Sequence, residues 1–399
     1  MTMAESESKH FVCIECCVSP LLQELVKRAG IEAKCSLCNT AAVKCTSTES
    51  DEFLLAIKAS IRYYFSEWQY HSKLGDGTLE GLFFIEPNPI LKFNPAQSAI
   101  DREDIILSFL SDVNERQMQV EVFTAYGRDI YNYLPHIAVS EGESSILSSA
   151  VQALTEKNYF LVEDEYEKLL SPVLRSISAT VKTGTRWYRA RMGATQVAAN
   201  FTEMGRPPTY FYEGHKDQSI GAPPVGVSTA GRVNRPGVSY LYLASTSETA
   251  AAEIRPHPGE LVSLGCFDVT KDLSIVDLTT NHLTKLWRTD EELEMLVLVV
   301  AMEKMFSTTA PPSNRSAYTV TQFLGELFRR HGFDGVKFRS TVEAGDNLVI
   351  FDPAYASWVE GSSEVVKVKS VKYASDPVPL FDENKQYDLD HKRYGKNGY

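Results

Sequence analysis

Six of the seven cysteines in this chain lie between Cys13 and Cys45, and this clustering is the strongest constraint on how the start of the chain folds. Cys13 and Cys16 form one Cys-x-x-Cys pair, and Cys35 and Cys38 form a second pair after eighteen intervening residues. Four thiolates at this spacing can surround one zinc ion tetrahedrally, and the ion then replaces a hydrophobic core too small to fold alone. The pattern therefore predicts a structural zinc module in this segment.

Other interpretations of the cysteines stay open at this point. Cys17 and Cys45 lie in the same segment, so either thiol could replace one of the four, and the cysteines could also be buried without a metal. A disulfide framework is disfavoured, because residues 1–10 have neither the basic region nor the apolar stretch of a secretion signal. We therefore expect a cytoplasmic protein whose saturated zinc site holds structure and has no open position for catalysis.

Residues 19–30 predict a short helix inside the cysteine-rich segment. Ser19 is expected to cap its first turn, Pro20 stands where its missing N–H does no harm, and Gly30 is expected to end it in a left-handed conformation. The few lysine and arginine side chains of the segment form only a modest basic surface, which favours a solvated module over a nucleic-acid-binding one.

The region from residue 47 to residue 180 is predicted to be mainly helical. Apolar side chains recur there at spacings of three and four residues, as on the buried face of a helix. The helical segments are expected at residues 51–70, 102–125, 145–156 and 164–179. A hairpin is expected between residues 81 and 93.

The chain changes character after residue 181. Short β-rich runs separated by glycine- and proline-rich loops predict strands at residues 187–190, 239–244, 261–267, 273–277, 335–339 and 347–351. Two helices are expected among them, at residues 289–305 and 321–331, the second ending at Gly332. The predicted fold class is therefore α+β, with a zinc module (1–46), a helical domain (47–180), an α+β domain (181–360) and a polar C-terminal tail (361–399).

Several charged and polar side chains of the α+β domain are candidates for chemistry. The stretch Ser-Glu-Thr-Ala-Ala-Ala-Glu predicts a helix start with Ser or Thr at its cap, which places Glu253 about two turns into the helix. A carboxylate turned inwards from there must be paired or functional, whereas periodicity alone favours a solvated Glu bridged to Arg255 or another arginine. Arg189 and Arg232 could likewise make surface salt bridges, and Ser340 on its own does not indicate a functional site.

Six short motifs occur in order in this domain. They are Trp-Tyr-Arg (187–189), Gly-Arg-x-Asn (231–234), Tyr-Leu-Tyr-Leu-Ala (240–244), Ala-x-x-Glu (250–253), Phe-Arg-Ser (338–340) and Asn-Leu-Val-x-Phe-Asp-Pro (347–353). Each motif alone is weak, but together and in this order they resemble the RES domain family, which is named for its Arg, Glu and Ser positions. The resemblance covers residues 186–355, somewhat under half of the chain.

The resemblance implies an ADP-ribosyltransferase-like α+β fold that binds NAD in a cleft. RES proteins act as toxins of toxin–antitoxin pairs and break the bond between nicotinamide and ribose. Some destroy NAD by hydrolysis or phosphorolysis, and others transfer ADP-ribose to a protein. Carried over motif by motif, the catalytic residues are Arg232, Tyr242, Glu253 and Ser340. The NAD-binding residues are Arg189, Arg232, Tyr242 and Asn234.

The residue types at these positions suit that reaction. Cleavage of an N-glycosidic bond develops positive charge on the ribose, which a carboxylate at Glu253 would stabilise. Arg189 and Arg232 would bind the pyrophosphate through forked hydrogen bonds. Tyr242 would stack on nicotinamide, and Ser340 would hold a ribose or amide group.

The function expected from the resemblance is degradation of NAD in a toxin–antitoxin or phage-defence context. ADP-ribosyl transfer to a protein or nucleic acid uses the same residues and stays open, as does an inert RES portion in a protein that binds partners through its zinc module. The implied partners are NAD and an antitoxin or regulatory protein, and self-association is left open. Helical extensions of RES proteins resemble HEPN domains, but here the eight residues between Arg62 and His71 are too many for the HEPN nuclease motif.

Charge and hydropathy set further limits on partners. The formal net charge of −12, from 52 acidic and 40 basic residues, opposes binding of nucleic acid over the protein surface. The longest purely apolar run, residues 295–302, is far short of the roughly 18 residues that span a bilayer. The long proline-containing loop at residues 193–229 is expected to cover the cleft, or to hold the enzyme off until a partner binds.

Overall fold

The computed structural model describes residues 10–66, 80–85, 89–94, 101–106, 137–157, 159–201, 207–308 and 318–372, with a few isolated positions outside these ranges. The chain divides into two compact units, Met1–Ser144 with Asn281–Ala301 and Ser145–Thr280 with Met302–Tyr399. The four-part division expected from the sequence, with its HEPN-like helical domain, stays a prediction. In the described ranges, no helix has the length and apolar character of a membrane-spanning segment.

The first unit begins with a small antiparallel sheet. Its elements are β1 (Phe11–Cys13), α1 (Pro20–Ala29), β2 (Ile31–Ala33), β3 (Val43–Ser47) and α2 (Asp51–Tyr64). The strands lie in the order β1-β3-β2, and Cys13 on β1 lies opposite Cys45 on β3. Helix α2 begins where its apolar periodicity predicts, and its buried face includes Phe53 and Ile57. The sheet thus places Cys13, from the first Cys-x-x-Cys pair, beside β3, the strand that follows the second Cys-x-x-Cys pair.

Helix α1 is confirmed, but its two predicted end signals act differently. Ser19 makes no side-chain cap, and its hydroxyl instead lies 2.9 Å from the hydroxyl of Ser60 on α2. Gly30 is not left-handed, because its backbone is extended with φ −68° and ψ 147°. Glycine is needed there for space, since a Cβ would lie 2.5 Å from the carbonyl oxygen of Val26. The predicted cap and left-handed stop are therefore wrong, because both residues serve close packing.

The segment after α2 differs from the predicted hairpin. Gly81–Ile85 form a π-helical turn, so the hairpin expected between residues 81 and 93 is wrong. The run Leu-Phe-Phe-Ile is apolar at consecutive positions and lacks the alternation of a half-buried strand. Of the helix predicted at residues 102–125, residues 102–106 are helical, and the remainder lies outside the described residues.

The second unit is built on a mixed sheet of nine strands. They are β4 (Ser178–Val181), β5 (Arg186–Met192), β8 (Leu241–Ala244), β9 (Leu261–Val269), β10 (Leu273–Leu278), β11 (Gly335–Arg339), β12 (Asp346–Ile350), β13 (Ala356–Trp358) and β14 (Glu364–Lys367). A separate two-stranded ribbon consists of β6 (Thr195–Asn200) and β7 (Thr209–Glu213). The helices are α3 (Ser145–Glu156), α4 (Tyr159–Ser176), α5 (Ser247–Glu253), α6 (Asp290–Ser307), which begins in the first unit, and α7 (Thr319–Arg330).

The strand order of the large sheet brings distant parts of the sequence together. The order is β13-β9-β5-β8-β12-β11-β10-β4, and β14 also pairs with β9. The pair β10–β11 is parallel, whereas the other pairs of this sheet are antiparallel. Apolar side chains such as Leu243, Phe267 and Leu348 form the core of the sheet. Strands β8, β12 and β11, which carry three of the motifs, are therefore neighbours.

The α+β class and the elements predicted after residue 181 are confirmed, with ends that shift by a few residues. Helix α7 stops before Gly332, which has a φ of 81°. The ribbon β6–β7 falls in the stretch expected to be a loop. Every residue of β7 is exposed, so this strand has no hydrophobic alternation that the sequence could reveal. Helix α4 ends at Ser176 rather than at residue 179, because β4 begins at Ser178.

Glu303 on α6 is a partly buried carboxyl whose ionisation opposes folding. Burial raises its pKa to about 7, an effect that Arg339 opposes and Asp277 reinforces. The folded state therefore holds a proton that the unfolded chain loses near the ordinary value of 4.5, so stability falls as pH rises between these two values. We expect Glu303→Gln to raise the free energy of unfolding by about 1–3 kcal/mol near pH 8 and by much less near pH 5.

Urea unfolding at both pH values measures this difference. Glu294→Gln, at an exposed position of the same helix, is the control and should change stability little at either pH. An equal effect of Glu303→Gln at the two pH values would show that ionisation is not the cause.

Candidate functional site

A cavity of about 460 Å³ in the second unit is lined by residues of β5, β8 and β12, of helix α5 and of the loop at residues 228–234. The predicted site residues that line it are Arg189, Arg232, Asn234, Tyr242 and Glu253. Ser340 is not part of the lining but contacts Glu253. The structure thus gathers every predicted residue of the α+β domain around one cavity.

Glu253 is the last residue of α5, a seven-residue helix. Thr246 caps the start of the helix, and its hydroxyl accepts a hydrogen bond of 3.1 Å from the backbone N–H of Thr249. At the other end, Oε1 of Glu253 accepts hydrogen bonds from the Ser340 hydroxyl (2.7 Å) and from the Asn347 amide Nδ2 (2.6 Å). Neutral donors, rather than an arginine, therefore hold this exposed carboxylate at the cavity.

The two donors to Glu253 come from adjacent strands of the large sheet. Ser340 directly follows β11, and its hydroxyl also accepts the backbone N–H of Val342 at 3.3 Å. Asn347 on β12 is only 8% exposed and lies opposite Ala244 of β8. Because backbone pairing fixes both positions, the carboxylate is oriented by the sheet itself.

Tyr242 is tied into the cavity wall through its hydroxyl. The hydroxyl donates to Oδ1 of Asn234 (2.7 Å) and accepts from the backbone N–H of Val233 (3.0 Å). Burial raises the pKa of the Tyr242 phenol, so it stays protonated as a donor. Its ring is therefore held in one orientation beside the Gly-Arg-x-Asn loop.

Asn234 organises the loop from which Arg232 extends. Its side chain is 3% exposed, and Nδ2 donates to the carbonyl oxygens of Thr229 (3.0 Å) and Val238 (2.9 Å). At Gly231 there is no room for a side chain, because a Cβ would lie 2.4 Å from Asn234 Oδ1 and 2.6 Å from the Tyr242 hydroxyl. The glycine of the motif is thus required for close packing.

Arg232 lies against aromatic rings in the cavity. Its guanidinium carbon is 5.2 Å from the ring centre of Tyr318 and 5.9 Å from that of Phe338, within the range of cation–π attraction. Nη1 donates to the carbonyl oxygen of Thr308 at 2.9 Å. Burial lowers the pKa of Arg232, and nearby Tyr318 and Glu253 oppose this effect. The group remains a cation that is only partly compensated.

Arg189 on β5 is a second buried cation. Its Nη1 donates to the backbone carbonyl of Tyr242 at 2.7 Å, while its Nε is buried without a hydrogen-bond partner in the described part of the chain. Burial lowers its pKa to about 10, and the positive charge of Arg191 adds to this effect. A buried cation with incomplete hydrogen bonding favours an anion in the adjoining cavity.

Polar side chains that the sequence analysis does not name as site residues also line the cavity, among them Asn347, Arg255 and Tyr318. Asn347 stands in the motif Asn-Leu-Val-x-Phe-Asp-Pro, and its signal in the sequence is a polar side chain directly before the apolar residues Leu348, Val349 and Ile350. Arg255 follows Glu253 by two positions and was considered only as a surface ion-pair partner. Tyr318 comes from a segment with no motif, so nothing in the sequence indicated it.

The predicted metal site lies in the first unit. Among the described residues, the group of His, Cys and acidic side chains close enough to hold a metal ion is Cys13, Cys16, Cys35 and Cys38. The Sγ atoms of Cys13 and Cys38 are 3.7 Å apart, and those of Cys16 and Cys35 are 3.8 Å apart. A tetrahedral site with Zn–S bonds of about 2.3 Å separates its sulfurs by about 3.8 Å, so the donor set fits zinc in type and in size. The ion itself stays a prediction.

Cys17 and Cys45 lie outside this group of four. Both thiols are fully buried, and Cys45 Sγ contacts the carbonyl oxygen of Ala33 at 3.8 Å. The geometry therefore favours the original four ligands over a set that includes either of these two.

We expect the purified protein to carry one equivalent of zinc and to lose stability when a chelator removes it, because the four thiols otherwise form a small, metal-free core. Cys35→Ser should lower the zinc content and the unfolding temperature together. Cys266→Ser, which changes the one cysteine outside residues 13–45, is the matched control. Elemental analysis and thermal unfolding provide the measurements. The prediction is refuted if the purified wild-type protein contains no zinc and added zinc leaves its unfolding temperature unchanged.

Tyr242→Phe should destabilise the second unit by about 1–3 kcal/mol, because it leaves Asn234 Oδ1 and the Val233 N–H without their buried partner. Tyr210→Phe removes a hydroxyl from an exposed tyrosine and should have little effect. Denaturant unfolding of both variants tests this, and equal stabilities would contradict a structural role for the Tyr242 hydroxyl.

Comparisons with known proteins place this site in a family. Residues 186–369 match the family model described as the RES domain. A solved structure titled "Crystal structure of the M.tuberculosis MbcT-MbcA toxin-antitoxin complex" is similar at 16% identity, covering 50% of this chain and 92% of that chain with a TM-score of 0.27. No curated protein matches the chain. The match to the RES domain at residues 186–369 thus agrees with the resemblance that the six motifs indicated.

Proposed function

We propose that the cavity binds NAD and that the protein cleaves the bond between nicotinamide and ribose. The observation that carries this proposal is the carboxylate of Glu253, held by Ser340 and Asn347 at a cavity that is also lined by arginines. The RES domain at residues 186–369 supports it, because RES proteins act on NAD. The residues that match the family's motifs are the ones that meet at this cavity.

Glu253 would act on the ribose. Its Oε1 is occupied by two donors, whereas Oε2 makes no hydrogen bond within the described ranges. When the bond from ribose C1′ to nicotinamide breaks, its electron pair leaves with neutral nicotinamide, and positive charge develops on the ribose. The free carboxylate oxygen would stabilise that charge or hold a ribose hydroxyl until an oxygen nucleophile bonds to C1′.

The arginines of the cavity would favour an anionic ligand. Arg189 and Arg232 are both partly buried, and this burial lowers the pKa of each. A dinucleotide carries negative charge on its pyrophosphate, and positive potential in an enclosed cleft attracts it. The predicted contacts of Arg189 and Arg232 with the pyrophosphate stay part of this proposal.

Tyr242 and Asn234 would contribute to NAD binding mainly by holding other parts of the cavity in place. The Tyr242 hydroxyl is already bonded to Val233 and Asn234, so only the ring is available to stack on a ligand. Asn234 uses its side-chain amide to hold its own loop. We therefore assign to Asn234 the placement of Arg232 rather than direct contact with NAD.

Three fates of the ADP-ribose moiety use this same arrangement. Water would give ADP-ribose, inorganic phosphate would give a phosphorylated ADP-ribose, and a protein or nucleic-acid acceptor would become modified. The RES family suggests a toxin whose activity an antitoxin restrains, and the zinc module and helical segments are the parts of the chain available for such control. A RES portion that only binds partners is disfavoured by the intact group of Arg232, Tyr242, Glu253 and Ser340.

Glu253→Gln should reduce nicotinamide release from NAD by at least about 100-fold, because the charge opposite the ribose is lost while the hydrogen-bonding shape is kept. Chromatography of NAD, nicotinamide and the ribosyl product measures the rate and names the acceptor. Glu248→Gln, an exposed position on the same helix, is the control and should keep the wild-type rate.

Two results would contradict the proposal. One is full nicotinamide release by a folded Glu253→Gln protein, which would remove the carboxylate from the reaction. The other is the absence of NAD binding and cleavage by zinc-loaded wild-type protein, which would favour the binding-protein alternative.

A further inference from the structure

Arg255 stands at the cavity immediately after the residue that carries the proposed chemistry. Helix α5 ends at Glu253, and Ile254 and Arg255 both line the same cavity as that carboxylate. The cations that line the cavity in the described part of the chain are thus three arginines, Arg189, Arg232 and Arg255, against one carboxylate. The lining is positive overall, which favours an anionic occupant.

The three arginines differ in how they are held. Arg189 is tied to the carbonyl of Tyr242, and Arg232 to the carbonyl of Thr308 and two aromatic rings. The guanidinium of Arg255 makes no hydrogen bond or ion pair with any described residue, although Glu253 is two positions away. Arg255 is also the exposed one of the three. Its five N–H donors are therefore available to a ligand.

The backbone of Arg255 adopts a conformation that its neighbours must impose. Its φ is +49°, in the left-handed region that side-chain-bearing residues rarely occupy. The next residue is Pro256, which itself disfavours helical conformations in the residue before it. The N–H of Arg255 donates to the carbonyl of Ala252 at 3.0 Å, which closes the chain tightly after α5. Strain of this kind is concentrated at positions where a side chain is directed for binding.

The charges around Arg255 also favour the binding of an anion next to its guanidinium. The pKa of Arg232 is lowered first by burial, and Arg255 adds to that lowering, so the two cations repel each other. Glu253 and the phenol groups of Tyr318 and Tyr242 act in the opposite direction on Arg232. An anion placed between the two guanidinium groups would relieve the repulsion and complete the hydrogen bonding of Arg255.

We propose that Arg255 is a ligand-binding residue whose guanidinium binds a phosphate group in this cavity. This rests on the proposed function, under which two sources of phosphate are available: the pyrophosphate of the dinucleotide, and inorganic phosphate as the group that accepts ADP-ribose. Arg255 then adds a direct forked contact with phosphate to the contacts proposed for Arg189 and Arg232.

The test compares Arg255→Gln with wild-type protein and with Arg191→Gln. Arg191 is an exposed arginine of β5 that does not line the cavity, so its variant controls for a general loss of positive charge. The first measurement is calorimetric binding of ADP-ribose, which carries the pyrophosphate and has no nicotinamide bond to break. The second is nicotinamide release from NAD with and without inorganic phosphate. Thermal unfolding confirms that all three proteins are folded.

A loss of about tenfold or more in ADP-ribose affinity in Arg255→Gln, with Arg191→Gln unchanged, supports contact with the pyrophosphate. Unchanged ADP-ribose affinity, together with loss of the stimulation by inorganic phosphate, supports contact with the accepting phosphate. If Arg255→Gln matches wild type in both measurements, the role of Arg255 is refuted while the proposed function stands. Wild-type protein that neither binds ADP-ribose nor releases nicotinamide would refute both.

Discussion

The two hydrogen bonds that Glu253 accepts join three parts of the chain that are far apart in sequence. They exist because β12 pairs with β8 on one side and with β11 on the other, so that Asn347 and Ser340 approach the end of the helix that follows β8. A change in register by one residue would turn the Asn347 side chain to the opposite face of the sheet. The apolar core of these strands, which sets their register, therefore also fixes the position of the Glu253 carboxylate.

Much of this site could be predicted because its residues lie in short motifs within strands of strong hydrophobic pattern. Gly231, Arg232 and Asn234 stand together in the chain, so their common placement follows from local structure alone. The role of Asn347 could not be predicted, since a polar residue near the start of a strand becomes informative only once its neighbours across the sheet are known. Tyr318 is brought to the cavity by tertiary packing alone.

Two errors in the predicted fold, at Ser19 and Gly30, have a common physical cause. Ser19 and Gly30 have the residue types of a helix cap and a helix stop, but in the structure they serve contacts with Ser60 and with neighbouring backbone. Local propensity was therefore outweighed by tertiary packing at both positions. The ribbon β6–β7 was missed for the opposite reason, because its exposed side chains show no pattern of burial.

The tight packing at Gly231 has a consequence for how this cavity can change through evolution. Asn234 Oδ1 and the Tyr242 hydroxyl occupy the volume that a methyl group at position 231 would need. A mutation that adds a side chain at position 231 can be accommodated only if position 234 or 242 becomes smaller, and that second change breaks the bond between Asn234 and Tyr242. Residues 231 and 234 of the loop and residue 242 of β8 therefore constrain one another during evolution. A single substitution at one of them is destabilising, and only combined substitutions can keep the packing.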